Sequence, residues 1–285
     1  MVNGVMVMSL RIIEWHDFAV NSAVSSANRT SEAAITIGVF DGVHLGHQTL
    51  IERVVRQGPN PTVITFRENP KKMVSPGLFE GDLYSLKQKL TIFESLGISR
   101  AILIDFSEDF SKLGGRDFLD ILQNRGQMTF LAVGSSFRCG FRQDMNAELI
   151  REINEAKGIP TEIVPPVTLP KESEPVSSSR VRQAIISGCL KEAAALLGRS
   201  FIIDLSEIEG EFLRPCPRPC PKPAPGSDTR RGSYVYDLRS AYRVAPDRGE
   251  YSVLMQPGCV AGQAKMENGK VYLSGKAESI EFNTD

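Results

Sequence analysis

Two histidines that are three residues apart follow an apolar stretch of the chain. His44 and His47 lie in the sequence GVFDGVHLGH at positions 38–47. The pattern predicts a buried strand over residues 34–40, a glycine-containing turn over residues 41–43 and a helix over residues 46–56. Both imidazoles would lie at a helix N-terminus, where unpaired N–H groups and the helix dipole attract anions. Gly46 leaves room for a ligand near the backbone. This spacing predicts a site for a phosphate chain.

A pair of histidines at this spacing also has simpler interpretations. The two residues could be exposed surface histidines or half of a metal site. Zinc is disfavoured because His16, the third histidine of the chain, is remote and no cysteine lies nearby in the sequence. A P-loop is excluded because no GxxxxGK[ST] sequence follows the predicted strand.

A second phosphate-binding segment is predicted at residues 176–182, with the sequence VSSSRVR. Ser178 or Ser179 would cap a helix, and the free N–H groups of its first turn would attract an anion. Arg180 and Arg182 are two residues apart, so only one of them would face a ligand there. A capped surface helix with no ligand is the alternative.

Two further loops follow predicted strands. Phe66, in the sequence TFRENP at positions 65–70, could stack on a ring, although Asn-Pro is also an ordinary start of a turn. The sequence VGSSFRCG at positions 133–140 could wrap a cofactor or be a tight connector. We expect Cys139 to fill apolar space, because no histidine lies near it in the sequence.

Composition narrows the class of protein. The chain has 285 residues, with 33 Lys and Arg against 34 Asp and Glu, so charge gives no case for nucleic acid or an anionic membrane. No apolar run has the length of a membrane span, and residues 5–13 do not read as a signal peptide. Five scattered cysteines favour reduced thiols and a cytoplasmic location.

The order of predicted elements indicates an α/β protein with a small β domain at its C-terminal end. Strands and helices alternate from residue 34 to about residue 200, which predicts a doubly wound parallel sheet with helices on both faces. Proline occupies every odd position from 215 to 225, and short apolar runs follow over residues 233–283. We predict a domain over residues 1–201, a proline-rich linker or loop over residues 202–232 and a β domain over residues 233–285.

These segments together resemble a known family. The sequences GVFDGVHLGH and SSSRVR resemble the HxGH and SSTxxR motifs of the Rossmann-like HxGH nucleotidylyltransferases. The TFRENP and VGSSFRCG stretches, with LLGRSF at positions 196–201, are similar to the FMN adenylyltransferase module of prokaryotic FAD synthetases. The resemblance covers about residues 10–201.

The resemblance implies that AMP passes from ATP to FMN with release of pyrophosphate and with Mg²⁺ held mainly by substrate phosphates. It implies catalytic roles for His44, His47 and Arg182. The ATP-binding residues would be Gly38, Val39, Phe40, Asp41, Gly46, Gly134, Ser178 and Ser179. FMN would contact Phe66, Asn69, Ser136 and Phe137. We expect one triphosphate to engage both the histidine pair and the serine-capped turn.

The chain also departs from the family pattern. Ser179 replaces the threonine of SSTxxR, Glu68 and Asn69 replace a Pro-His pair, Ser136 replaces a usual Asn or Asp, and Cys139 replaces a frequent Phe. These changes concern flavin contact. No GRxLGFPTAN stretch, the mark of a riboflavin kinase domain, follows Phe201, so we predict that kinase activity is absent. Adenylyl or cytidylyl transfer to phosphopantetheine, nicotinamide mononucleotide or phosphocholine, and a non-catalytic flavin- or nucleotide-binding module, are the alternatives.

Overall fold

The structure, a computed structural model, describes residues 9–20, 32–58, 60–213 and 233–284. The chain divides into two compact units. The first unit comprises Met1–Phe79 and Leu86–Val176, and the second comprises Glu80–Ser85 and Ser177–Asp285.

The first unit is built on a parallel sheet of six strands. Two short strands beyond its fifth strand pair with each other as an antiparallel ribbon. In chain order the strands are β1 (Arg11–Glu14), β2 (Ala33–Ile37), β3 (Pro61–Phe66), β4 (Arg100–Ile104), β5 (Met128–Gly134), β6 (Arg138–Cys139), β7 (Met145–Asn146) and β8 (Thr161–Val164). The large sheet has the order β1-β4-β3-β2-β5-β8, and β6 and β7 form the ribbon.

Helices cover both faces of this sheet. They are α1 (Trp15–Val20), α2 (Leu45–Gln57), α3 (Lys71–Val74), α4 (Leu86–Ser95), α5 (Glu108–Ser111), α6 (Gly115–Arg125) and α7 (Ala147–Glu155). All five residues of β2 are buried, because alternate side chains point to opposite faces and each face is covered. Ile35 packs into a core with Phe118 and Ile150, whereas Ala34 packs into a second core with Ile51.

The strand order changes direction beside β2. From β2 the chain adds β3 and then β4 on one side, and it later adds β5 and β8 on the other side. Doubly wound sheets bind ligands beyond the carboxyl ends of their strands at such a switch point. The turn that carries the two histidines follows β2, so it lies at this switch point.

The predicted fold class is confirmed. The structure also corrects details of the first unit. The predicted strand over residues 34–40 ends at Ile37, because Phe40 has a left-handed backbone that cannot continue a strand. The sequence analysis missed β1, which pairs in parallel with β4 at the edge of the sheet.

The second unit contains two helices and a seven-stranded antiparallel sheet. Its helices are α8 (Ser178–Ile186) and α9 (Leu190–Leu197). Its strands are β9 (Ile202–Asp204), β10 (Glu211–Leu213), β11 (Ser233–Asp237), β12 (Arg248–Gln256), β13 (Val260–Glu267), β14 (Lys270–Leu273) and β15 (Ser279–Phe282). The sheet order is β10-β11-β14-β13-β12-β15-β9.

The prediction of a linker or loop over residues 202–232 is wrong for β9 and β10, which lie at the two ends of the stretch 202–213. Ile203 pairs with Ile280, and Phe212 pairs with Tyr234, so both ends of this stretch belong to the sheet. Each strand has only three residues, too few to give an alternating pattern that sequence analysis can recognise. The proline-rich part of that prediction lies outside the described residues. The helices α8 and α9 belong to the same compact unit as the antiparallel sheet. The domain boundary at residue 201 stays a prediction.

Residues 80–85 belong to the second unit through backbone and side-chain contacts. The amide of Asp82 donates to the carbonyl of Tyr242 at 2.7 Å. The buried Ser85 hydroxyl donates to Oδ2 of Asp204 at 2.6 Å. Tyr84 stacks on Phe201 with 6.1 Å between ring centroids. Burial raises the pKa of Tyr84, so its hydroxyl stays protonated at neutral pH.

Across the described ranges, each helix is too short or too polar to cross a lipid bilayer.

Tyr236 gives a test of the C-terminal sheet. Its buried hydroxyl donates to the carbonyl of Ala277 at 3.1 Å and accepts from the Ala277 amide at 3.0 Å. Tyr236→Phe would leave both backbone groups of Ala277 without this partner, so we expect a loss of about 1–3 kcal/mol in the free energy of unfolding. Urea denaturation followed by circular dichroism measures it. Tyr234→Phe on the same strand is the control, and an equal effect of both variants would contradict the assignment.

Candidate active site

The turn after β2 has an unusual backbone. Phe40, Gly42 and Val43 all have positive φ angles, of 53°, 79° and 41°. Such angles cost little for glycine and more for a β-branched residue such as Val43. Strain of this kind persists only where the surroundings enforce it, and it is common at functional sites. Here the side chains of Phe40 and Val43 are fully buried, so core packing holds the turn.

The two imidazoles form a stacked pair. The ring centroids of His44 and His47 are 3.7 Å apart, with 20° between the ring planes. The ring of Phe40 meets His47 edge-on at 5.1 Å, and Phe93 of α4 meets Phe40 edge-on at 5.5 Å. The imidazole pair thus packs against aromatic rings that belong to the core.

The imidazole pair lies at the N-terminus of α2. His44 is the residue that caps this helix, with extended backbone angles, and its carbonyl accepts from the amide of Gln48 at 2.9 Å. The amides of the first helical turn have no acceptor within the helix, and the helix dipole adds partial positive charge there. The predicted combination of two imidazoles and a helix N-terminus is therefore present within one turn of chain. Asp41, a predicted ATP-binding residue, is buried in the preceding turn.

Gly46 sits close against His44. A Cβ added at Gly46 would lie 3.3 Å from Nδ1 and Cε1 of His44, and 3.7 Å from the carbonyl oxygen of Val176. At Gly38 an added Cβ would lie 3.2 Å from the ring of Phe40. Both glycines therefore leave room for neighbouring side chains. The sequence had suggested only that Gly46 leaves room for a ligand.

The loop after β5 is open at its start. A Cβ added at Gly134 would meet nothing within 4 Å, and the next amide, that of Ser135, donates to the carbonyl of Val164 at 3.1 Å. Ser136 is exposed, whereas Phe137 packs partly against the core. Cys139 packs against the same core, and burial raises the pKa of its thiol to about 12. A thiol with this pKa is protonated at neutral pH and is a poor nucleophile.

The two residues of the loop after β3 that were predicted to contact flavin make contacts within the protein. Phe66 meets the rings of Phe106 and Phe110 edge-on, at 5.9 Å and 6.3 Å. Asn69 is buried, and its Oδ1 accepts from the amide of Lys71 at 3.1 Å, which fixes the start of α3. Roles of Phe66 and Asn69 in flavin binding stay predictions.

In the second unit, the residue that caps α8 is Ser177. Its hydroxyl accepts from the amide of Arg180 at 3.2 Å, and its backbone is extended. The prediction that Ser178 or Ser179 caps this helix is wrong, because both residues already have helical backbone and lie within the first turn. Ser178 is half-buried and Ser179 is exposed at this N-terminus.

The two arginines of α8 have different surroundings. Arg180 pairs with Glu192 of α9, with 2.9 Å between Nη2 and Oε1. Arg182 is buried and donates through Nη2 to the carbonyl of Gly81 at 3.0 Å. Its Nη1 lies 3.5 Å from the carbonyl of Ser178 in the first helical turn. The arginine that the family motif selects is thus held by backbone carbonyls.

Sequence analysis missed two polar residues that connect the loops of the first unit. The Thr65 hydroxyl donates to the carbonyl of Val39 at 3.1 Å, and the buried Lys89 ammonium donates to the carbonyl of Phe66 at 3.2 Å. A signal was present for Lys89. It stands three residues after Leu86 and four before Phe93, where the helical period places an apolar residue.

A sequence model described as FAD synthetase matches residues 26–180, which is more than half of the 285 residues. The chain belongs to the FAD synthetase family. This match includes the histidine turn, both loops after β3 and β5, and the first residues of α8.

Curated relatives of this FAD synthetase family member include two named bifunctional riboflavin kinase/FMN adenylyltransferase. The protein from Buchnera aphidicola subsp. Acyrthosiphon pisum is 28% identical over 185 residues, covering 63% of this chain and 58% of that protein. The protein from Escherichia coli K12 is 29% identical over 184 residues, with the same two shares. The chain therefore matches less than two thirds of the length of these relatives.

A solved structure has the same fold over nearly the whole chain. It is described as a macrolide-efflux protein from Streptococcus pneumoniae, with a TM-score of 0.71 and 20% sequence identity. The match covers 96% of this chain and 88% of that chain. At this identity the likeness establishes the fold alone, including the presence of an antiparallel unit after the parallel sheet.

Gly46→Ala should disturb the imidazole pair without unfolding the protein. The new Cβ would press on the His44 ring, whereas Ala is a good helix former in the first turn of α2. We expect the imidazole proton resonances of His44 and His47 to shift, with His16 as an internal reference. Gly58→Ala, whose Cβ would make an ordinary 3.9 Å contact, is the control. Unchanged resonances in Gly46→Ala would contradict this packing.

Cys139 should react more slowly with iodoacetamide than Cys189 and Cys259, which are both exposed. The thiolate is the reactive form, and a pKa near 12 leaves almost none of it at pH 8. Labelling of Cys139 should rise as the pH approaches 12. Mass spectrometry of labelled peptides measures the three rates. Cys139 labelling as fast as Cys189 at pH 8 would show that the thiol is not desolvated.

Proposed function

We propose that the chain is an FMN adenylyltransferase, which transfers AMP from ATP to FMN and releases pyrophosphate. The observation that carries this proposal is the stacked imidazole pair at the N-terminus of α2, at the switch point of the parallel sheet. Membership of the FAD synthetase family supports FMN as the acceptor, and the two curated relatives carry this activity in their names.

The proposed reaction is an in-line displacement. A phosphate oxygen of FMN forms a bond to the α-phosphorus of ATP, while the bond from that phosphorus to the oxygen bridging the β-phosphorus breaks. The electron pair of that bond leaves with pyrophosphate. Such a transfer requires little covalent help, so positioning and stabilisation of negative charge dominate the acceleration.

His44 and His47 would donate hydrogen bonds to phosphate oxygens as negative charge spreads in the transition state. The amides of the first turn of α2 and the helix dipole would add to this stabilisation. Gly38, Val39, Phe40 and Asp41 shape the turn. Gly46 leaves room for the ring of His44, and Gly134 leaves the backbone open at the start of the loop after β5. In this proposal the leaving phosphates contact Ser178, Ser179 and Arg182.

Mg²⁺ would neutralise charge on the polyphosphate. Nucleotide-bound Mg²⁺ usually takes most of its ligands from phosphate oxygens and water. Among the described residues, no three His, Cys, Asp or Glu side chains are grouped so that they could hold a metal ion, and we propose no ligand set from the protein. The FMN side is assigned to Phe66, Asn69, Ser136 and Phe137 from the family motifs.

Two further predictions belong to this proposal. Riboflavin kinase activity is absent from this chain, so riboflavin with ATP yields no FMN. We also expect a cytoplasmic location, with no nucleic-acid or membrane partner.

The central test supplies the purified chain with Mg-ATP and FMN and measures FAD and pyrophosphate. We expect His47→Ala to lower kcat by about 10²–10³-fold, the range seen when one donor to a developing negative charge is removed. His16→Ala is the matched control, because His16 is an exposed residue of α1. Near-normal turnover in His47→Ala would contradict the assigned role.

Other acceptors and riboflavin complete the experiment. Phosphopantetheine, nicotinamide mononucleotide and phosphocholine are tested with ATP and CTP, and faster transfer to one of them than to FMN would replace the proposed acceptor. Tight binding of FMN or ATP with no pyrophosphate release would indicate a non-catalytic binding module. FMN formation from riboflavin would overturn the predicted absence of kinase activity.

A further inference from the structure

Lys89 is a buried cation within the parallel-sheet unit. Its side chain is 6% exposed, and α4 presents it on the same face as Phe93, one helical turn further on. Burying an ammonium group is costly unless hydrogen bonds replace its water. The lysine Nζ lies 3.2 Å from the carbonyl oxygen of Phe66 and 3.4 Å from that of Val39.

The two carbonyls belong to different loops at the carboxyl edge of the sheet. Val39 lies in the turn that leads to the histidine pair, and Phe66 is the last residue of β3, where the next loop begins. Thr65 adds a second link, because its hydroxyl also donates to the carbonyl of Val39 at 3.1 Å. The Val39 carbonyl therefore accepts from two side chains, one from α4 and one from the end of β3. These bonds fix the spacing between the two loops.

The same face of α4 also supports the histidine pair through apolar contact. Phe93 meets Phe40 edge-on, and Phe40 meets His47. One face of α4 thus contacts the turn of residues 38–43 in two ways. Lys89 binds a backbone carbonyl of the turn, and Phe93 packs against the buried ring of Phe40. An apolar side chain at position 89 would fill the same space but would donate no hydrogen bond to either loop.

We propose that Lys89 is a positioning residue that holds the ATP-side turn (residues 38–43) and the FMN-side loop (residues 65–70) in one fixed arrangement. This inference rests on the proposed adenylyl transfer and adds to it a residue that aligns the two substrates. Lys89 acts through the backbone of Val39 and Phe66, so its contribution is geometric. Because the rate of a two-substrate transfer depends steeply on alignment, loss of Lys89 lowers kcat more than it raises either KM.

Lys89→Met tests the inference, with Lys87→Met as the matched control. Lys87 is an exposed lysine on the same helix, two residues away, so the control makes the same chemical change outside the core. We expect Lys89→Met to lower kcat by about 10²-fold with each KM changed by less than about threefold. Lys89→Arg, which keeps a charged donor, should recover part of that loss. Lys87→Met should match the unaltered protein.

Amide hydrogen exchange of the protein without substrates provides a readout that does not depend on turnover. The reporters are the amides of Gly38, Val43 and Arg67, which donate to the carbonyls of Ile64, Phe40 and Ile104. We expect Lys89→Met to accelerate exchange in both loops together, by about tenfold or more, while the amides of α7 keep their protection. A general loss of stability would instead accelerate exchange in α7 as well.

The outcomes separate this inference from the proposed function. If the unaltered protein makes no FAD, the proposed function fails, and exchange still decides whether Lys89 couples the loops. If it makes FAD and Lys89→Met matches Lys87→Met in kcat and in exchange, the positioning role is overturned.

If Lys89→Met does not fold, Thr65→Val and Thr65→Ser are compared. Faster exchange in both loops for the valine variant alone supports the coupling, and unchanged exchange overturns it.

Discussion

The geometry of the candidate site depends on the buried ring of Phe40. This residue has a left-handed backbone, which is uncommon for an aromatic side chain and persists only because packing compensates for it. Its ring lies between Phe93 and His47, so the orientation of the imidazole pair is determined in the core below it. Gly38 has no side chain to compete for that space. Apolar contacts in the core therefore support the polar end of the site.

The features that sequence predicted well were those set by local periodicity and by a fixed motif. A parallel strand covered on both faces must be apolar at every position, and β4 has that pattern over Arg100–Ile104 apart from its first residue. The histidine turn was predicted because strand, glycine turn and helix occur together within about twenty residues. Its position at the switch point followed from the alternation of elements, without knowledge of any contact.

The features that sequence missed depend on partners remote in the chain. Strand β1 is stabilised by β4, about ninety residues later, and half of its side chains are exposed, so no apolar pattern marks it. Strands β9 and β10 are too short to show a period and are defined by pairing with β15 and β11. Sequence analysis proposed Ser178 or Ser179 as the cap of α8, because consecutive serines are chemically alike, and only the backbone angles select Ser177. The helical period marked position 89 as one that faces the core, but the contacts of Lys89 could not be predicted, because its acceptors are backbone carbonyls of remote loops.

The second unit bears on the proposed chemistry through Arg182. Its guanidinium donates to the Gly81 carbonyl and lies near that of Ser178, so the side chain is held in one rotamer by backbone groups of its own unit. An arginine fixed in this way loses less conformational freedom when it binds a phosphate than a flexible surface lysine would. The Glu80–Ser85 segment is in turn attached to the β sheet through Ser85 and Asp204. If Arg182 binds the nucleotide as proposed, the antiparallel sheet would contribute indirectly, because it holds the segment whose carbonyl orients Arg182.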